Sequence, residues 1–169
     1  MGQFSSILQR SGFATVYMPA STPLSALTSR NSPTDQELTS GTGNSQCDLE
    51  YRAQRTLSAS ANEDLDLAGS LADVFGATLT FVKVRGIWIK AAAGNTNSVV
   101  IKPASSNGFT GPFGAATHTI TLPPSGVFLV TAPVGGWTVT AGTVDKINIA
   151  NSAGSTSVTY DIHVIGASA

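Results

Sequence analysis

The stretch TLTFVKVRGIWIKAAA, residues 78–93, decides the fold. It is the longest run rich in β-branched and aromatic residues, and its alternation changes phase halfway along. Leu79, Phe81 and Lys83 share one face, with Thr80, Val82 and Val84 opposite. Beyond Arg85-Gly86, Ile87 and Ile89 share a face and Trp88 and Lys90 oppose them. A period of two marks a strand with one buried side. A glycine inside such a pattern packs no side chain and tolerates unusual dihedrals, so Arg85-Gly86 predicts a bulge or a sharp bend. The stretch reads as one long, bent strand at the centre of an all-β domain.

Downstream, turn residues arrive at regular intervals. Gly94-Asn95-Thr96-Asn97 turns the chain into a strand over 98–102, and residues 103–116 read as a long Gly-rich loop carrying Phe109, Pro112 and Phe113. Further strands are expected over 117–122, 127–132, 137–140, 146–150 and 157–165. Upstream, Cys47, Leu49, Tyr51 and Ala53 alternate with Asp48, Glu50, Arg52 and Gln54, which predicts a half-buried strand with a charged outer face. Leu57, Leu65 and Leu67 continue the sheet, and residues 68–76 read as a loop or a single helical turn. Short strands separated by Gly, Pro and Asn turns, with no amphipathic helix, specify a sandwich or a barrel. Eight or nine strands over residues 46–169 predict a jelly-roll-like antiparallel β-sandwich.

Residues 1–45 have a different character and are read as an extended N-terminal arm. From 20 to 45 the composition is dominated by Ser, Thr, Pro, Asn, Gln and Gly, with Leu24, Leu27 and Leu38 as the sizeable apolar residues. These are too few to offset the cost of ordering the backbone in isolation. Ser32-Pro33-Thr34-Asp35 has an N-cap, a proline at the first helical position and an acid in the first turn, so one helical turn up to Leu38 is expected. Phe4, Ile7, Leu8, Phe13, Val16 and Tyr17 are too scattered for a core of their own and suit docking onto another surface, which makes them the candidate partner-binding residues.

Composition narrows the function. The 169 residues are one domain's worth of chain, large enough for a real core. Charged residues are 11% of the chain, against about 25% in an average soluble protein, and the formal net charge is −1. Such a surface exerts no long-range attraction on phosphates or anionic lipid, so neither nucleic acid nor membrane is an expected partner. No secretory leader or apolar run of ~18 residues is present, and the expectation is a soluble protein made in a cytoplasm.

Chemistry is scarce. Cys47 stands alone, so an intrachain disulfide and a thiolate metal cluster are out. His118 and His163 lack neighbours at metal-ligand spacing apart from Asp161. Glu63, Asp64 and Asp66 lack the glycine and closing glutamate of a calcium loop and read as a solvated turn. No Gly-x-Ser-x-Gly elbow, phosphate loop or dinucleotide fingerprint occurs. Trp88, Trp137, Tyr160 and Phe109 could line a sugar-binding face, although such spacings in strands read first as core. No catalytic residue, cofactor or metal is expected.

The runs TLSASANEDLDLAG (56–69), DVFGATLTFVKVRGIWIKAAAGNTNSVVI (73–101), FTGPFG (109–114), PSGVFLVTAP (124–133) and TVTAGTVDKINIANSAGSTSVTYDIHVIG (138–166) together resemble small virion structural proteins of tailed bacteriophages. The resemblance covers residues 56–166 and rests on overall pattern. It implies a β-sandwich displayed on the virion, a capsid decoration or cement protein that binds the major capsid protein over the joints between capsomers. It also implies a homo-oligomer, dimer or trimer. The alternative is a tail, neck or fibre-associated component, including a carbohydrate-binding module.

Overall fold

The computed structural model describes residues 7–9 and 36–169, and among these there is no helix. The strands are β1 Ile7–Gln9, β2 Gln36–Ser40, β3 Gln46–Cys47, β4 Leu49–Leu57, β5 Asn62–Asp66, β6 Ala68–Ala72 and β7 Thr78–Thr80. They are followed by β8 Lys83–Ala91, β9 Val99–Pro103, β10 Ile120–Leu122, β11 Val127–Thr131, β12 Trp137–Thr138, β13 Lys146–Asn151 and β14 Val158–Ala167.

Two antiparallel sheets carry the domain. The first has the order β4-β14-β8-β11, with the short β12 pairing beside β11 on β8; the second has the order β5-β13-β9-β10. The chain enters the first sheet at β4, crosses to β5, returns at β8, crosses to β9 and β10, returns at β11, crosses to β13 and ends on β14. This nested order is the jelly roll, in which each later strand inserts beside an earlier one. β14 lies centrally, bonded to β4 on one side and β8 on the other, and Val158, Tyr160, Ile162 and Val164 along it are all buried.

One hydrophobic core unites the two sheets. Ile87, Ile89, Tyr160, Ile162 and Val164 from the first meet Leu65, Val99, Ile101, Ile147 and Ile149 from the second, and Phe109 closes one flank from the long loop. Each such aliphatic side chain contributes about 1.5–3 kcal/mol when fully buried. The expected irregularity at Arg85-Gly86 is present. Ile165 pairs with Gly86 but Gly166 pairs with Val84, which leaves Arg85 as the extra residue of a bulge in β8. The bulge carries Val84 back into the core with Ile87 and Ile89 and leaves Gly86 against the side chain of Ile165 on the opposite face.

The stretch 78–93 is not one strand. It is divided at Phe81-Val82, where the chain changes partner: the N–H of Phe81 donates to Leu67 O, in line with the β6–β7 pairing, and that of Val82 donates to Ala167 O, beside the β8–β14 pairing. Residues 68–76 form neither loop nor helical turn throughout: β6 and β7 pair as a hairpin between β5 and β8. Glu63, Asp64 and Asp66 lie within β5 instead of on a turn. His118 precedes β10 instead of lying in it. The alternation from Cys47 to Ala53 breaks at Asp48, placing Cys47 in a separate cluster with Leu38 and Ile165 while Tyr51 enters the main core. The helical turn expected up to Leu38 is replaced at 36–38 by strand β2, and its earlier part lies outside the described residues. Of the arm residues, Ile7 and Leu8 lie in β1, paired with β2; Phe4, Phe13, Val16 and Tyr17 lie outside the described residues.

Candidate functional site

Most buried polar groups are engaged in structure. Arg55 on β4 donates from Nε to Glu63 Oε2 at 2.7 Å and from Nη1 to the Tyr51 hydroxyl, and Tyr160 donates its hydroxyl to Glu63 Oε1 at 2.8 Å. This latch joins β4 and β14 of the first sheet to β5 of the second. Burial by itself would raise the Glu63 carboxyl, but the Arg55 guanidinium and the Tyr160 hydroxyl hold it below its ordinary range. Burial, reinforced by the Glu63 carboxylate, pushes the Tyr160 phenol well up. At one end of the sandwich Asn97 Nδ2 donates to Asn151 Oδ1 and to the carbonyls of Ala153 and Thr156, while Asn151 Nδ2 donates to Ser58 O and Thr156 O. Three loops are tied together by two amides.

The residues singled out for chemistry do not converge. His118 Nδ1 lies 2.6 Å from Phe113 O and fastens the long loop. His163 Nε2 lies 2.8 Å from Glu50 Oε1, without a hydrogen bond aligned to it, and Arg52 pairs with the same oxygen. Burial depresses the His163 imidazole, against the pull of Glu50. Asp161 shares its face of β14 but accepts from Gln54 Nε2. Burial raises the Cys47 thiol, with the charges of Asp48 and Glu50 adding to it. Among the described residues no three His, Cys, Asp or Glu side chains are placed to share a metal ion. Of the four aromatic residues considered for sugar binding, Tyr160 and Phe109 are fully buried in the core, and only Trp88 and Trp137 reach the surface, each half-buried.

The outer face of the first sheet carries the feature that sequence reasoning missed. Arg85, the bulge residue, is 3% exposed, and among the described residues its partners include no carboxylate. Its Nη1 donates to Val134 O at 3.0 Å, and its Nη2 to Gly43 O at 2.9 Å and Thr42 O at 3.3 Å. Three carbonyl dipoles thus solvate a buried cation, while its Nε finds no acceptor among the described residues. The Ser45 N–H adds a bond to Pro133 O, and Leu38 and Cys47 pack on Ile165. Residues 38–47 therefore form a strap across this face, pinned by one guanidinium. The only sequence signal was a charged residue beside the glycine of an expected bulge.

Among the described residues several large apolar side chains stand exposed. Val74 and Phe75 are 78% and 89% exposed at the tip of the β6–β7 hairpin. The tip is an ordered turn: Asp73 Oδ1 accepts from the N–H groups of both Phe75 and Ala77 at 2.8 Å, and Gly76 adopts φ +84°. Val127 and Leu129 on β11 and Val134 beyond it are also exposed. No protein-family model matches this chain, and no match to it was found among curated proteins.

Proposed function

We propose that the protein is a non-enzymatic structural component of a bacteriophage virion, a decoration protein of the head that binds the major capsid protein and neighbouring copies of itself. The observation that carries this reading is the division of labour among side chains. Polar groups are spent on latching the sheets, loops and strap, whereas large apolar side chains are raised into solvent on hydrogen-bonded turns and on a sheet margin. A protein whose work is to bury area against neighbours needs this arrangement. The jelly roll is an architecture of viral capsid and lectin domains, and the resemblance of residues 56–166 to virion proteins favours the first. The arm residues Phe4, Ile7, Leu8, Phe13, Val16 and Tyr17 supply further apolar area for the same attachment.

The carbohydrate-binding alternative, with the protein on a tail, neck or fibre, is weakened by the burial of Tyr160 and Phe109, which leaves no cluster of four aromatic residues to line a groove. Imaging of intact particles with antibody-gold against the protein separates the readings. Label distributed over the head supports decoration; label confined to tail or fibres assigns the protein there.

A further inference from the structure

Among the described residues the two sheets of the sandwich present four edge strands, and three of them are guarded. β4 displays Glu50 and Arg52 on its solvent face, β5 is NEDLD with three acids, and β10 has three residues followed directly by Pro123-Pro124. Charge, brevity and proline are the means by which sheet edges are kept from pairing with other chains. β11 has none of them. Its sequence VFLVT holds no charge and no proline, and all five residues are apolar or β-branched.

The hydrogen bonding shows which of its groups are available. Ala91 N donates to Gly126 O and Ala132 N to Arg85 O, which places the β8-directed backbone groups on the even-numbered residues of β11. The N–H and C=O of Val127 and Leu129 point the other way, off the sheet. Their side chains are 51% and 38% exposed. On the inner face of the same strand Phe128 and Val130 are only half-buried, as is Ile120 on β10, so the core is least complete along this margin.

We infer that β11 is a self-association edge, and that its occupant is β11 of a second copy paired antiparallel about a two-fold axis through Phe128. In that register both backbone groups of Val127 meet those of the mate's Leu129, the two side chains form an apolar cross-strand pair on the outer face, and the two Phe128 rings meet on the inner face. Charge argues for a copy of itself: an uncharged strand meets itself without repulsion, whereas β5 would set acid opposite acid. The contact is isologous and closes at two copies. An edge whose outward groups are those of Val127 and Leu129 buries less than the roughly 800 Å² per partner of a standard complex, so the dimer is expected to be a weak, concentration-dependent one. The inference is independent of the virion reading.

Sedimentation equilibrium of the full chain from about 1 to 500 μM tests it. The expected result is a mass rising from one copy to two. Leu129→Pro removes a donor that faces away from β8, so it leaves the intrachain ladder intact and should abolish the dimer with little loss of thermal stability. Val127→Lys should weaken association at least tenfold. Adding Leu129→Glu to it should restore the dimer, because this register sets each introduced ammonium opposite the introduced carboxylate of the mate. A wild-type chain that stays monomeric at 500 μM overturns the inference. So does a mass that climbs past two copies, or a dimer that survives both Leu129→Pro and Val127→Lys.

Discussion

The two faces of the β4-β14-β8-β11 sheet are covered by different physics. The inner face meets the second sheet through many interchangeable aliphatic contacts, among them Ile87, Ile89, Ile162 and Val164. The outer face meets the strap, among the described residues, through a cluster of three buried hydrophobic residues, Leu38, Cys47 and Ile165, and one buried guanidinium. Area burial is diffuse and degrades gradually, whereas a pinned strap depends on a single residue. The inner face fixes the fold, and the outer face holds residues 38–47 as a strap.

The largest expected effect lies on the inner face. Ile89→Ala, at a fully buried position, should cost about 2–5 kcal/mol of global stability, read from denaturant unfolding. A cost under about 1 kcal/mol would mean that the interior is far looser than its packing implies. On the outer face, Arg85→Met strips three carbonyls of their donor while relieving the desolvation of the cation, and the balance should be a loss of about 1–3 kcal/mol. Its signature is local: hydrogen exchange should accelerate at Thr39, Gly41 and Ser45, whose N–H groups are bonded within the strap or to Pro133, and leave β13 and β14 protected.

Truncation sharpens the same contrast. Removing residues 1–35 should leave the domain's stability within about 1 kcal/mol. Removing residues 1–45 also deletes Leu38 and the carbonyls of Thr42 and Gly43, so it should cost about 2 kcal/mol more, by burial and hydrogen-bond loss together. Equal melting temperatures for the two truncations would show that the strap contributes nothing.

Acid should reach both faces with the same sign. The folded-state carboxyl of Glu63 is depressed, so its contribution is present above the unfolded value of about 4.3 and is lost as pH falls through the folded one. The His163 imidazole is also depressed; between about 6.5 and its lower folded value the unfolded chain binds the extra proton, so stability falls as pH falls through that window. His163→Gln should flatten the stability profile just below about pH 6.5 and leave the steeper loss at lower pH, where Glu63 protonates. A mutant profile parallel to the wild type across roughly pH 5–7 would show that His163 does not couple folding to acid. The smallest effect on stability belongs to the hairpin tip, where Val74→Ser with Phe75→Ser should change it by under about 0.5 kcal/mol.

The architecture was legible because burial in this chain follows the period of two closely. The alternating apolar residues of β4, β8, β13 and β14 mark the core face, and a Gly or Pro stands at one end of each of β9, β10, β11 and β12. The bulge was legible too, since a glycine interrupts the alternation at residue 86. Strand order was not, because insertion of β14 between β4 and β8 is decided by long-range pairing that no local pattern encodes. The β6–β7 hairpin escaped notice because AGSLADVFG mixes turn formers with single apolar residues. The role of Arg85 was hidden for a related reason: a charge in a strand reads as solvent-facing unless the segment that covers it is known, and that segment lies about forty residues earlier.

The proposed attachment to a phage head is tested most directly by quantitative binding of the purified full chain to heads from particles lacking its gene. The expected result is saturation at a fixed number of copies per head and a rise in the temperature at which those heads release DNA. The doubly substituted hairpin tip, folded as stably as wild type, should bind more weakly. Heads that take up no protein, or that bind it without saturation and without any gain in stability, would contradict a decoration role.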